Sequence, residues 1–116
     1  RIAALVYLQD FASPWMSIRR LDDSVAAALS WDSAVFPYAW LWYELGGNAE
    51  PPWAGRTRLI GMEPNTTWPA TGLADADRRG RLMTLQPGAE RSVTVHLHVF
   101  KPTGPIRGVD AAGLAL

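Results

Sequence analysis

The side chain best placed for acid–base chemistry in this chain is the carboxylate of Glu63, which ends an apolar segment. That segment reads Arg-Leu-Ile-Gly-Met-Glu from Arg58 and is followed by Pro64. A carboxylate at the end of a buried strand loses solvation unless it is paired, hydrogen-bonded or used in chemistry. Gly61 lies on the same strand face and leaves space where a ligand could approach the backbone. Glu63 is therefore a candidate functional residue, and the alternative is a structural Glu that caps a turn or pairs with Arg56 or Arg58.

A second candidate group lies on the aromatic segment 36–45. Alternation with a period of two places four of its residues on one face: Tyr38, Trp40, Trp42 and Glu44. Flat aromatic rings beside a carboxylate suit a sugar, because sugar C–H groups stack on the rings and sugar hydroxyls hydrogen-bond to the acid. The alternative is a Trp-rich core or sheet interface, where large aromatic side chains bury much surface.

Two histidines form a weaker candidate. His96 and His98 are separated by one residue, so they share one strand face. Such a pair can bind zinc when a third or fourth ligand is present. The chain has no other histidine and no cysteine, so only carboxylates could complete the site. A partly solvated strand face is the favoured interpretation, and neither a metal nor another cofactor is predicted.

The composition limits the class of protein. The 116 residues suffice for one domain, and 11 basic residues balance 11 acidic ones. This balance argues against a nucleic-acid partner, which would favour a basic face. No apolar run approaches the ~18 residues that a membrane helix needs, so no membrane partner is predicted. The absence of cysteine excludes disulfides and thiolate metal sites, and it favours a cytoplasmic protein.

Short strands are predicted to position these residues. Period-two alternation and frequent turn signals predict seven strands, over residues 2–9, 15–20, 25–31, 36–45, 57–63, 81–86 and 91–101. A long irregular connection over residues 64–80 contains one predicted helical turn at 73–78. Many short strands separated by turns predict an all-β fold, an antiparallel β-sandwich or barrel.

The order and spacing of several motifs resemble the C-terminal end of the aldose 1-epimerase (galactose mutarotase-like) superfamily. The matching parts are Gly61-Met62-Glu63-Pro64-Asn65 with Pro69, the segment 82–90 (Leu-Met-Thr-Leu-Gln-Pro-Gly-Ala-Glu), and the strand 93–100. Upstream, the aromatic segment 36–47 and the segment 52–56 (Pro-Trp-Ala-Gly-Arg) resemble a bacterial branch of that superfamily. The resemblance spans nearly the whole chain.

The resemblance implies a β-supersandwich fold and a sugar ligand, either a monosaccharide or a sugar derivative. In this family the carboxylate at the position of Glu63 is the general base that takes the proton from the anomeric hydroxyl, while a histidine donates a proton to the ring oxygen. Ring opening, rotation and reclosure give the other anomer, which requires a base and an acid with pKa values pushed apart. The candidate sugar-binding residues are Trp40, Trp42, Glu44 and Arg56.

The chain departs from the family pattern in two ways. Family members are more than twice as long, and their acid histidine lies upstream of the matching region, so His96 and His98 do not correspond to it. Residues 1–116 are therefore expected to form one part of such a domain, with the base but without the acid. The exposed sheet edges of such a part predict a homo-oligomer.

Three other functions stay open at this stage. The first is a non-catalytic carbohydrate-binding module, because stacking aromatic rings need no acid partner. The second is a glycoside hydrolase that uses Glu63 and Glu44. The third is a structural fragment that binds no ligand.

Overall fold

Two antiparallel three-stranded sheets form the chain in a computed structural model, which describes residues 1–110 and 112–116. The strands are β1 (Ile2–Gln9), β2 (Trp15–Arg19), β3 (Ala26–Ser30), β4 (Tyr38–Leu45), β5 (Arg58–Asn65) and β6 (His96–Phe100), and the helix α1 is Leu73–Arg78. Sheet A has the order β1-β4-β5, and sheet B has the order β2-β3-β6. The predicted all-β, sandwich-like fold class is confirmed.

Strand β4 is the centre of sheet A, and its composition explains this position. Its sequence, Tyr-Ala-Trp-Leu-Trp-Tyr-Glu-Leu, is rich in the aromatic residues that pack well on a pleated surface. It pairs along its whole length with both β1 and β5. In this register Trp40 lies opposite Tyr7 of β1 and Glu63 of β5. The pairing therefore places the predicted aromatic face and the predicted acid on the same side of one sheet.

The core lies between one face of each sheet. Met16 and Leu29 of sheet B are buried there with Ala39 of sheet A and with Trp31, which follows β3. The Trp31 indole N–H donates a hydrogen bond of 3.1 Å to the carbonyl of Phe36, so its polar atom is satisfied. Partly buried apolar residues surround this cluster: Leu8, Phe11, Phe36, Leu41 and Met62.

Two predicted strand segments are wrong, and one strand extends further than predicted. Residues 81–86 and 91–95 form no strand. Strand β6 pairs with β3 over five residues, and residues 91–95 have no pairing partner there because β3 ends at Ser30. Strand β5 continues through Pro64 to Asn65. Proline is tolerated at that point because β5 lies at the edge of sheet A, where one side needs no N–H donors.

The connection after β5 folds back over the side of sheet A that faces away from the core, here called the outer face. The Trp40 indole N–H donates to the carbonyl of Thr67 at 3.0 Å. The backbone N–H of Ala70 donates to the hydroxyl of Tyr7 at 3.1 Å. These two bonds attach the connection to the central and edge strands and hold both aromatic rings in place.

Hydrogen bonds to the carboxylate of Asp75 stabilise the short helix α1. Its carboxylate accepts hydrogen bonds from the Thr71 hydroxyl at 2.6 Å and from the guanidinium groups of Arg79 and Arg78, each at 2.9 Å. These contacts, with that of Thr71 the largest, lower the pKa of Asp75 to about 2.

The Asp75 contacts predict an acid-dependent loss of stability. Because the folded pKa lies below the ordinary carboxyl value, the stabilisation is present above about pH 4 and is lost as the pH falls towards 2. We expect the melting temperature of Asp75→Asn to fall less between pH 5 and pH 2 than that of the unsubstituted protein. Thermal unfolding followed by circular dichroism measures this, with Asp77→Asn on the exposed side of the helix as the control. Parallel pH profiles for Asp75→Asn and the unsubstituted protein would contradict the assignment.

Candidate functional site

The outer face of sheet A carries a shallow concavity beside Glu63. Its volume is about 480 Å³, and its lining residues are Ala3, Ala4, Leu5, Trp40, Trp42, Asn48 and Glu63. This volume falls in the range of roughly 300–1,000 Å³ that is typical of small-molecule sites. Three of the residues singled out in the sequence, Trp40, Trp42 and Glu63, are therefore brought together. Two of the three lining residues from β1, Ala3 and Ala4, have small side chains.

Glu63 is half-buried, and its carboxylate lies over Gly61. A Cβ atom placed on Gly61 would be 2.5 Å from Glu63 Oε1, so glycine supplies the space that the carboxylate occupies. In the part of the chain that the structure describes, no ion pair involves Glu63. The guanidinium of Arg58 instead donates to the carbonyls of Gly55 and Thr57. The geometry therefore favours an acid that faces the concavity over one that pairs with a neighbouring arginine.

Glu44 does not face the concavity, although it shares a strand face with the two tryptophans. Its side chain is 0% exposed. One carboxylate oxygen accepts hydrogen bonds from the backbone N–H groups of Gly47 at 2.9 Å and Asn48 at 3.3 Å, and the other accepts from the Asn48 side-chain amide. Glu44 thus anchors the loop that carries Asn48 to the edge of the concavity.

Asn48 is a lining residue that the sequence interpretation missed. It lies in the loop between β4 and β5, outside any alternating pattern. A local pattern in the sequence could have indicated it. Gly47 and Asn48 follow Glu44 by three and four residues, and their backbone N–H groups are the donors that an enclosed carboxylate requires. A turn of this kind satisfies the charge without an arginine or lysine.

Arg56 is not brought to the concavity. It is exposed in the loop before β5, where its backbone N–H donates to the carbonyl of Trp53 at 3.0 Å. The same loop places Trp53 against Trp42, with ring centroids 5.0 Å apart and an interplanar angle of 79°. Trp53, rather than Arg56, is the residue by which this loop contributes to the site.

The two histidines lie on the other sheet. His96 lines a separate cleft of about 650 Å³ with Trp31, Asp32 and Asp110. His98 stacks on Phe100, with ring centroids 4.8 Å apart and an angle of 16°. Among residues 1–110 and 112–116, no group of three or more potential ligands is arranged to hold a metal ion. Neither histidine lines the concavity next to Glu63.

Comparisons with known proteins leave the function to be argued from the site. No protein-family model, curated protein or solved structure matches the chain. Within the described ranges, no helix has the length and apolar character needed to cross a membrane.

Gly61→Ala is expected to displace the Glu63 carboxylate without unfolding the protein. The new methyl group would lie 2.5 Å from Glu63 Oε1 but 3.4 Å from the Cβ of Trp42, which is an ordinary contact. Because a glutamate side chain can rotate away, we expect sugar affinity to fall about tenfold, equivalent to ~1.4 kcal/mol. The free energy of unfolding should change by no more than about 1 kcal/mol, since alanine is at least as favourable as glycine within a strand.

Binding titrations and urea unfolding of the same samples measure both effects of Gly61→Ala. Gly104→Ala is the matched control, because a Cβ at that position meets nothing within 4 Å. An unchanged sugar affinity in Gly61→Ala would show that the position of the Glu63 carboxylate does not matter for binding.

Proposed function

We propose that the outer face of sheet A binds a pyranose sugar and that Glu63 acts there as the general base of an aldose 1-epimerase-like reaction. The observation that carries this proposal is the Glu63 carboxylate in one concavity with the indoles of Trp40 and Trp42. The rings offer flat apolar surfaces to the C–H groups of a sugar, and the carboxylate offers two acceptors to its hydroxyls. The resemblance of the segment around Glu63 to the mutarotase-like superfamily supplies the reaction.

In the proposed reaction Glu63 accepts the proton of the anomeric hydroxyl. The electron pair left on that oxygen forms the C1 carbonyl, the bond between C1 and the ring oxygen breaks, and the ring oxygen is protonated. Rotation about the C1–C2 bond and reclosure on the opposite carbonyl face give the other anomer. Among the described residues that line the concavity, Glu63 is the only titratable one. In this chain the ring oxygen is therefore expected to take its proton from water.

A glycosidase is the weaker interpretation. Hydrolysis by that mechanism uses two carboxyl groups on either side of the scissile bond, about 5–9.5 Å apart. Glu44 was the candidate partner of Glu63, but its carboxylate is enclosed and bonded to the Gly47–Asn48 loop. A non-catalytic carbohydrate-binding domain uses the same aromatic rings and is the second candidate, because an acid side chain opposite Glu63 is not among the described lining residues.

Saturation-transfer NMR with a panel of hexoses tests the binding step. We expect transfer to the ring protons of at least one hexose, and we expect Trp42→Ala to remove most of it. Trp15→Ala on sheet B is the matched control, because Trp15 does not line the concavity. Absence of transfer to every hexose would contradict the proposal and favour a structural role.

Because the chain lacks cysteine, we propose the cytoplasm as its compartment.

A further inference from the structure

Aromatic rings continue beyond the concavity at both of its ends. Trp68 lies 6.2 Å from Tyr7, and Tyr7 lies 5.8 Å from Trp40, measured between ring centroids. Trp42 is the next residue on the same face of β4, roughly 6–7 Å further along the strand. Trp53 continues the series 5.0 Å beyond Trp42. These five rings form what we call the aromatic row.

Three rings of the aromatic row, those of Trp40, Tyr7 and Trp68, have contacts that position them before any ligand arrives. Each of the five residues is partly exposed rather than buried. Trp40 is held by its bond to Thr67, and Tyr7 is held by its bond to Ala70. The Arg79 guanidinium lies 5.4 Å from the ring centroid of Trp68. Rings that are already held in place lose little conformational entropy on binding, which favours ligand contact with this part of the row.

We propose that the site takes a reducing oligosaccharide, with its reducing-end unit at Glu63. The inference rests on the proposed function, because Glu63 acts on a free anomeric hydroxyl and only the reducing end of a saccharide carries one. A single pyranose ring is about as large as one indole, so beside Glu63 it stacks on Trp40 or Trp42 and leaves the rest of the row bare. Neighbouring ring planes along the row differ by 78° (Tyr7–Trp40), 80° (Tyr7–Trp68) and 79° (Trp42–Trp53). Further sugar units would therefore meet ring faces and ring edges in turn, at Trp53 on one side or at Tyr7 and Trp68 on the other.

Calorimetric titrations with glucose, maltotriose and cellotriose test the proposed ligand class. We expect at least one trisaccharide to bind at least tenfold more tightly than glucose. Trp53→Ala or Trp68→Ala should lower trisaccharide affinity severalfold and glucose affinity by a smaller factor, whereas Trp15→Ala on sheet B should change neither. Equal affinities for glucose and both trisaccharides would overturn the oligosaccharide inference and leave the proposed function standing. Absence of binding by all three sugars would overturn both.

The core-side faces of the two sheets also expose apolar side chains. This observation is independent of the site on the outer face of sheet A. Val6 is 41% exposed although it pairs directly with the core-packed residue Leu41. Leu97 is 67% exposed although it pairs with Leu29 of the core, and Val99 on the same face is 63% exposed. The sheets therefore cover each other over only part of their apolar faces.

The surface area of the chain is larger than that of a compact monomer of the same mass. The accessible surface is 7823 Å², whereas a compact monomer of this mass exposes about 6,200 Å². The radius of gyration is 16.3 Å, against about 13 Å for a compact chain of this length. The excess of roughly 1,600 Å² on one chain is about twice the ~800 Å² that each partner contributes to a standard protein–protein interface, so it is large enough for a stable dimer.

We infer that a second copy of this chain covers the exposed core-side faces in a two-fold dimer. A two-fold axis brings the same apolar patch of both copies together, which is the commonest arrangement in homo-oligomers. The balance of 11 basic and 11 acidic residues gives the copies no net charge repulsion. In the part of the chain that the structure describes, β1 and β5 are the edge strands of one sheet and β2 and β6 those of the other, and paired copies can add hydrogen bonds there.

Size-exclusion chromatography with light scattering, over a wide range of protein concentration, tests the dimer. We expect twice the mass of the single chain, and we expect the double substitution Leu97→Lys with Val99→Lys to restore the single-chain mass. Leu73→Lys is the control, because Leu73 is 68% exposed on α1 and lies outside the patch. A monomeric unsubstituted protein, an open-ended series of larger species, or equal dissociation by Leu73→Lys would each overturn this inference. The mass of the unsubstituted protein decides the question even where the double variant does not fold.

Discussion

Glu63→Gln is expected to suppress anomer interconversion while sugar binding persists. Glutamine has nearly the same shape as glutamate and still accepts hydrogen bonds through its carbonyl oxygen, but it does not act as a base near neutral pH. General base catalysis contributes about 10²- to 10⁴-fold, so we expect the catalysed rate to fall by that factor. The dissociation constant should rise by less than about tenfold, because one charge-assisted hydrogen bond becomes a neutral one.

Polarimetry of a freshly dissolved pure anomer measures the rate, and NMR titration of the same sugar measures affinity. Glu50→Gln is the matched control, because Glu50 is an exposed carboxylate in the loop after β4. Equal rates above the buffer background for Glu63→Gln and the unsubstituted protein would assign the base to another group. Binding without any catalysed rate in the unsubstituted protein would establish the non-catalytic carbohydrate-binding domain instead.

The faces of the strands could be predicted from the sequence, but their pairing could not. Alternation placed Trp40 and Trp42 on one face of their segment and placed Gly61 and Glu63 on one face of theirs. Nothing local sets the register that puts Trp40 opposite Glu63, because that contact joins residues distant in sequence. The concavity is a consequence of this register, so its lining could be predicted only in parts.

The errors in the strand prediction have the same origin. Residues 91–95 alternate as regularly as β6, yet they form no strand because β3 is too short to pair with them. Pro64 was expected to end its strand, but it lies at an edge where its missing N–H is not needed. Strand β1, in contrast, was predicted with its observed bounds. It is an apolar run that ends at a turn, and it pairs over its whole length with β4, which has the same number of residues.

Glu44 shows where a strand pattern fails for a charged residue. By alternation Glu44 shares a face with Trp40 and Trp42, so a sugar-facing role was the natural expectation. The following loop turns back and places Gly47 and Asn48 over the carboxylate. Because a buried charge is stable only when its oxygens are hydrogen-bonded, the loop conformation and the burial of Glu44 depend on each other.

Glu44→Ala is therefore expected to be the most destabilising substitution near the site. It removes the acceptor of three hydrogen bonds, and each bond to a charged group contributes about 1.5–3 kcal/mol. Gly47 and Asn48 are exposed, so water replaces part of what is lost. We expect the free energy of unfolding to fall by roughly 2–4 kcal/mol. Urea unfolding followed by tryptophan fluorescence measures this change.

Two further variants separate the contribution of the Glu44 charge from that of its bulk. Glu44→Gln keeps the volume but turns an amide N–H₂ group towards one of the loop donors, so an intermediate loss of stability is expected. Glu50→Ala removes an exposed carboxylate near the same loop and should change stability by less than about 0.5 kcal/mol. A loss for Glu44→Ala no larger than that for Glu50→Ala would contradict the anchoring role. Because the anchored loop carries Asn48, Glu44→Ala should lower both stability and sugar affinity, whereas Glu63→Gln should lower the rate far more than the affinity.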